Sequence, residues 1–183
     1  MTASVRDPRV LAGRARSFAA GLLVWLVMLT GCAGMSAEES VAAQEAQLNV
    51  FVAQADGWGG GIVAQIPVAE IEPAAESYNI GGVRKVSDYD DWPKYYYWDQ
   101  IVELKAEGAR APSEVADDLE PWLEGQGWER NEESEFPPGE RSFERDYYRD
   151  GYHLVVEVYT VPPPQAQTLA FMIVTPQTDP DRR

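Results

Sequence analysis

Ser142-Phe-Glu-Arg-Asp-Tyr-Tyr-Arg-Asp-Gly-Tyr-His-Leu-Val-Val-Glu-Val-Tyr-Thr160 is the stretch that decides the fold. Two runs rich in aromatic and β-branched residues, Ser142–Arg149 and Tyr152–Thr160, flank Asp150-Gly151. Asp-Gly between such runs is the signature of a two-residue hairpin, because both turn positions need positive φ. Counting outward from the turn pairs Arg149 with Tyr152, Tyr148 with His153, Tyr147 with Leu154, Arg145 with Val156 and Phe143 with Val158. Side chains alternate between the faces of a strand, so the register sorts them. Phe143, Tyr147, Leu154, Val156 and Val158 fall on a core face, and Glu144, Asp146, Tyr148, His153, Glu157 and Tyr159 on the other. Arg145 is a misfit on the core face and is expected near an edge or snorkelling outward.

Downstream, Val161-Pro-Pro-Pro-Gln-Ala-Gln turns the chain, and Thr168–Thr175 is apolar on both faces, as a central covered strand would be. Pro176–Arg183 is polar. Upstream, residues 131–141 form a charged loop, and Trp128 is expected to begin a strand. Ser113–Gly125 has the spacing of an amphipathic helix, with Val115, Leu119, Trp122 and Leu123 inward and Asp117, Asp118, Glu120 and Glu124 outward. Pro121 inside it predicts a kink or two short helices.

Lys94–Lys105 alternates as a strand, with Tyr96, Trp98, Val102 and Leu104 opposed to Tyr95, Tyr97, Ile101 and Glu103. Residues 70–93 are loop-rich. Ile62–Val68 is expected to be a short edge strand, and Gly57-Trp58-Gly59-Gly60-Gly61 a flexible turn, since it lacks the Gly-Lys-Ser/Thr ending of a phosphate cradle. Ser36 and Glu39 have capping-box spacing. Val41, Leu48, Phe51, Val52 and Ala55 then recur at helical intervals up to Gly57, with a strand over Leu48–Val52 as the rival. The whole predicts an α+β domain, an antiparallel sheet of about four or five strands with one or two helices packed on one face.

Three groups carry candidate chemistry. His153, the sole histidine, shares a strand face with Glu144, Asp146 and Glu157, a set that can bind a ligand or cation or run acid–base chemistry; a solvated sheet face is the plainer reading. Asp88-Tyr89-Asp90-Asp91 alternates like a calcium loop but lacks the further ligands and spacing such a loop needs. Trp92, Tyr95, Tyr96, Tyr97 and Trp98 can stack a ligand or anchor a partner on one side and fill the core on the other. There is no Gly-x-Ser-x-Gly, no His-Glu-x-x-His, and no cysteine beyond Cys32. No metal or other cofactor is expected.

Charge and hydropathy separate the N-terminus from the rest. Residues 1–17 are basic, and Phe18–Leu29 is an apolar run of twelve. A spanning helix needs about 20 apolar residues, so this is the pattern of a secretory signal peptide; an uncleaved anchor from Ser17 to about Met35 is the competing reading. Of 15 basic and 30 acidic residues, four and one respectively precede Cys32, leaving 11 against 29 and a formal net charge of −18 in the remainder. That sign repels nucleic acid and anionic headgroups and favours cations or basic protein surfaces. A single cysteine permits no internal disulfide, so the domain rests on its apolar core.

Leu29-Thr30-Gly31-Cys32 resembles the lipobox of bacterial lipoproteins. The resemblance implies that the Cys32 thiol receives a diacylglyceryl group, that a signal peptidase cuts between Gly31 and Cys32, and that the protein sits lipid-anchored on the extracytoplasmic face of the cell membrane. The order of parts is similar to that of small secreted lipoproteins of high-GC Gram-positive bacteria: lipobox, tether, a helix ending in Gly127-Trp128, a hairpin with Asp150-Gly151-Tyr152, and a final strand. That similarity transfers no active-site residue. The expected organisation is a signal peptide at 1–31, the lipidated cysteine and tether at 32–47, one α+β domain at 48–176 and a polar tail at 177–183. The expected function is a non-enzymatic binding or accessory module with an envelope protein as candidate partner. The alternative is an envelope hydrolase or cation-dependent enzyme using the Glu144/Asp146/His153/Glu157 face.

Overall fold

The computed structural model describes residues 36–73, 81–136, 139, 141–159, 161–163 and 167–179; the leader, Gly31 and Cys32 lie outside them. The elements are α1 (Ala37–Val63), β1 (Gly82–Lys85), β2 (Lys94–Leu104), α2 (Pro112–Gly125), β3 (Glu129–Arg130), β4 (Ser142–Arg149), β5 (Tyr152–Tyr159) and β6 (Gln167–Val174). The strands make one open antiparallel sheet in the order β1-β2-β6-β5-β4-β3. The α+β layout is as expected, with one strand more than the upper expectation.

The β4–β5 hairpin has the register counted from its turn, from Arg149 opposite Tyr152 to Phe143 opposite Val158. Asp150 and Gly151 both have positive φ, 51° and 82°, which matches the turn's backbone to the twist of its strands. The last strand, β6, takes the central position between β2 and β5. Its Leu169, Phe171 and Ile173 are wholly buried, and they join Trp98, Val102, Leu154, Val156 and Val158 in the core under the helices.

Helix α1 begins with the predicted capping box: the Glu39 amide donates to Ser36 Oγ and the Ser36 amide to Glu39 Oε2. Residues 37–47 are thus the first turns of a domain helix rather than tether. The helix also runs through Gly57–Gly61, where a turn was expected, and takes in Ile62 and Val63 of the expected strand. Packing decides this. A Cβ at Gly59 would lie 2.6 Å from Cζ2 of Trp98, so only glycine lets the helix approach that ring. Ile62 and Ile66 are both buried, one helical turn apart, which satisfies their hydrophobicity without a strand.

Helix α2 continues as one element through Pro121, so of the expected kink or break into two short helices the break is not found. Pro121 lies on the exposed side, where the carbonyl it leaves unbonded faces water rather than the core. Of the acids expected in solvent, Asp117 is exposed as expected but also pairs with Arg145, and Glu120 is half-buried in a second ion pair with Arg145. Arg145 lies near the sheet edge, as expected, since the two-residue β3 covers β4 only at Tyr147 and Tyr148; it is 9% exposed and held between those carboxylates of α2. Glu120 also bonds Arg130, whose other side holds Glu135 through two parallel hydrogen bonds of 2.7 and 2.9 Å. Trp128 is buried and directly precedes β3, which starts one residue later than expected.

Residues 175–179, the last described, bond to the rest of the fold. Thr178 donates its amide to the Lys94 carbonyl, accepts the Lys94 amide on Oγ1, and donates that hydroxyl to Gln44 of α1. Thr175 similarly bonds both backbone groups of Tyr96, so hydroxyls extend the β2–β6 pairing past Pro176, which has no N–H.

The contact of α1 with Trp98 gives a paired prediction. Gly59→Ala should destabilise the domain by about 1–3 kcal/mol through overpacking. Gly60→Ala, whose Cβ would meet nothing within 4 Å, should stabilise it by up to about 1 kcal/mol through helix propensity. Denaturant unfolding of the two variants measures both, and shifts of the same sign would refute the packing assignment.

Candidate functional site

Both helices pack on one face of the sheet, and the other face carries the candidate residues. Pairing across β2, β6, β5 and β4 aligns them in rows. Tyr97, Val174, His153 and Tyr148 form one; Asp99, Met172, Val155 and Asp146 the next; Ile101, Ala170, Glu157 and Glu144 the third. The four sequence-predicted residues, Glu144, Asp146, His153 and Glu157, thus do share a face. They line a cleft of about 460 Å³ floored by Val155, Ala170 and Met172 and walled by Ser134 and Phe136 of the segment after β3. The Arg130–Glu135 pair holds that segment beside β4.

Within the cleft, His153 Nε2 lies 2.9 Å from Asp146 Oδ1. Asp146 is 5% exposed, so the imidazole supplies the hydrogen bond that a buried carboxylate needs. Tyr148 stacks flat on the imidazole, with ring centroids 4.5 Å apart and planes at 1°. These contacts fix the ring in position. Glu144 lies directly opposite Glu157, and among the described residues no lysine or arginine lines the cleft. Burial, then the charges of Glu157 and Asp146, push the Glu144 carboxyl above its usual range. Burial and Glu157 do the same to Asp99. Tyr159 is raised chiefly because its hydroxyl bonds Glu157.

Sequence reasoning missed Asp99. Its alternation in β2 was legible, but the sheet order that sets β2 two strands from Glu157 was not. The arrangement offers negative charge over an apolar floor. An imidazole oriented by a buried carboxylate is also part of a hydrolytic constellation. Ser134, however, donates its hydroxyl to the Asn131 carbonyl at 3.0 Å. Among the described residues, no group of three or more His, Cys, Asp or Glu has the geometry to hold a metal ion, so the shared face does not converge into a cation site.

The other candidates fall elsewhere. In the 88–91 loop Asp91 pairs with Lys85 at 2.6 Å, and Tyr89 is almost fully exposed. The aromatic run divides as expected. Trp98 is buried and Tyr96 packs against the core, whereas Tyr95 and Tyr97 line a second cleft of about 520 Å³ with Arg84, Met172 and Val174. The Arg84 guanidinium lies 4.8 Å over the Tyr97 ring and donates to its hydroxyl. Among the described residues, no helix is long and apolar enough to cross a membrane.

The raised Glu144 carboxyl predicts a pH dependence. Its folded state holds the proton more tightly than the unfolded chain, so its contribution to stability is full below the ordinary carboxylate range and lost as pH rises through the shifted value. Glu144→Gln should therefore raise stability at neutral pH by a few tenths to about 1 kcal/mol. The gain should vanish as pH falls towards about 4. Thermal unfolding across that range checks it; an equal gain at both ends would refute the charge origin.

Comparisons with protein-family models, with curated proteins and with solved structures find no match to this chain.

Proposed function

We propose that this chain is a membrane-anchored extracytoplasmic lipoprotein whose domain acts as a non-enzymatic binding module. The observation that carries the binding reading is the one-sided covering of the sheet. Two helices bury one face, while the other keeps half-buried Val155, Ala170, Met172 and Val174 beneath a rim of tyrosines and carboxylates. A face of that composition satisfies itself by meeting a partner. The anchor reading is supported by Leu29–Cys32 and by the basic and apolar segments before it. Two acyl chains on one cysteine hold a protein stably at a bilayer, at about 0.8 kcal/mol per buried CH₂.

A hydrolase working through His153 is the second reading, and the 2.9 Å contact with Asp146 is what favours it. Against it stands the hydroxyl of Ser134, the serine lining the cleft, which is committed to a backbone carbonyl.

Expression in a Gram-positive host with the native leader tests the anchor. Intact protein should fractionate with membranes and carry a diacylglyceryl mass on an N-terminal Cys32. Cys32→Ala should appear in the medium or retain its leader. Membrane retention of Cys32→Ala with the leader removed would overturn the assignment.

A further inference from the structure

We propose that the helix-free face of the sheet docks a polypeptide segment that presents lysine or arginine side chains on an apolar surface. The proposal deepens the binding-module reading and is independent of the lipid anchor.

The shape of the face is the first ground. The cleft at Glu144 and Glu157 and the cleft at Tyr95 and Tyr97 both include Met172, so they adjoin across the sheet. Between them Val155, Ala170, Met172 and Val174 lie half-buried in the middle of the face. This is a strip with room for an extended or helical segment rather than an enclosed pocket for a small molecule.

Charge commits the occupant. Glu157 faces Glu144 across the β4–β5 ladder, and Asp99 is close enough to be influenced by Glu157. Among the described residues, the lining contributes no lysine or arginine to offset them. Like charges directly opposite in a sheet cost stability, and the hydroxyl of Tyr159 on Glu157 supplies a hydrogen bond but no positive charge. A basic side chain brought beside the Glu144–Glu157 pair would relieve that repulsion. Its aliphatic stem would lie along Val155 and Ala170, as long basic side chains do on apolar surface. The neighbouring rim supplies anchors of the kind that dominate interfaces: the stacked Tyr148–His153 pair and Phe136, which is 70% exposed.

The same charges exclude other occupants. A second copy would set these carboxylates against their own kind. Anionic lipid and nucleic acid carry the wrong sign. An uncharged glycan would stack on the tyrosines but leave the repulsion in place. Arg84, at the far end, is engaged by Tyr97 and does not offset the acids.

The test uses the full chain in detergent and a fluorescently labelled peptide of alternating Lys and Val, read by anisotropy. Peptides of alternating Glu and Val, and of Ser and Val, are the comparators. The face variant combines Asp99→Asn, Glu144→Gln and Glu157→Gln. A control combines Glu38→Gln, Glu45→Gln and Glu124→Gln, removing the same charge from the helices. The Lys peptide should bind, with affinity falling about tenfold in the face variant and about twofold or less in the control. The Glu peptide should not bind. The face variant should retain a thermal transition at or above that of the parent, since it removes repulsion, so lost binding is not lost folding. Equal losses in both variants would overturn the proposal, as would Ser and Lys peptides binding alike, or displacement of the Lys peptide by neutral oligosaccharide. Failure here with Cys32 lipidated would leave the anchor standing; successful binding with Cys32 unmodified would leave this face standing.

Discussion

Two consecutive residues in the left-handed region, Asp150 and Gly151, set the parity of the sheet. A tight turn that joins two strands fixes which residues oppose each other, and a slip of one would exchange the faces. With the turn in place, Leu154, Val156 and Val158 point under the helices, and Val155 and Glu157 point away from them. Strand β6 takes its register from β5, and β2 from β6. The positions of Trp98 and Asp99, many residues distant in sequence, are therefore consequences of the same local geometry.

The two faces solve their electrostatics differently. On the helix side, the charges that enter the interior are paired: Arg145 with Asp117 and Glu120, Arg130 with Glu120 and Glu135. A buried guanidinium without such partners would be severely penalised. On the open side, Asp146 has an imidazole, but Asp99, Glu144 and Glu157 share a cleft that, among the described residues, has no lysine or arginine in its lining. The domain neutralises charge where it packs and leaves it unbalanced where it is open.

The hairpin, the amphipathic α2, the capping box and the grouping of Glu144, Asp146, His153 and Glu157 were legible because each depends on spacing within a short window. What was not legible depends on partners far along the chain. Gly57–Gly61 looks like a turn until Trp98 is known to lie against Gly59. Arg145 looks misplaced until Asp117 and Glu120 of α2 are seen to pair with it. Strand β1 is four residues, Gly82–Lys85, at an edge and without alternation, so its pairing with β2 leaves little trace in its own composition. Thr178 looked like tail because its role is to complete the bonding of Lys94 and Gln44.

The central place of β6 has a consequence for the order in which the chain is made. A ribosome or translocon releases β1 to β5 first, and those strands form two separate groups, β1 with β2 and β3 with β4 and β5. Neither group can bury its inner face until residues 167–174 arrive between them. Soon afterwards Thr178 fastens the last strand pair to α1, the first helix. The sheet therefore stays in two halves until residues 167–178 have been made, and the strand that joins them is also the one that is tied to the first helix.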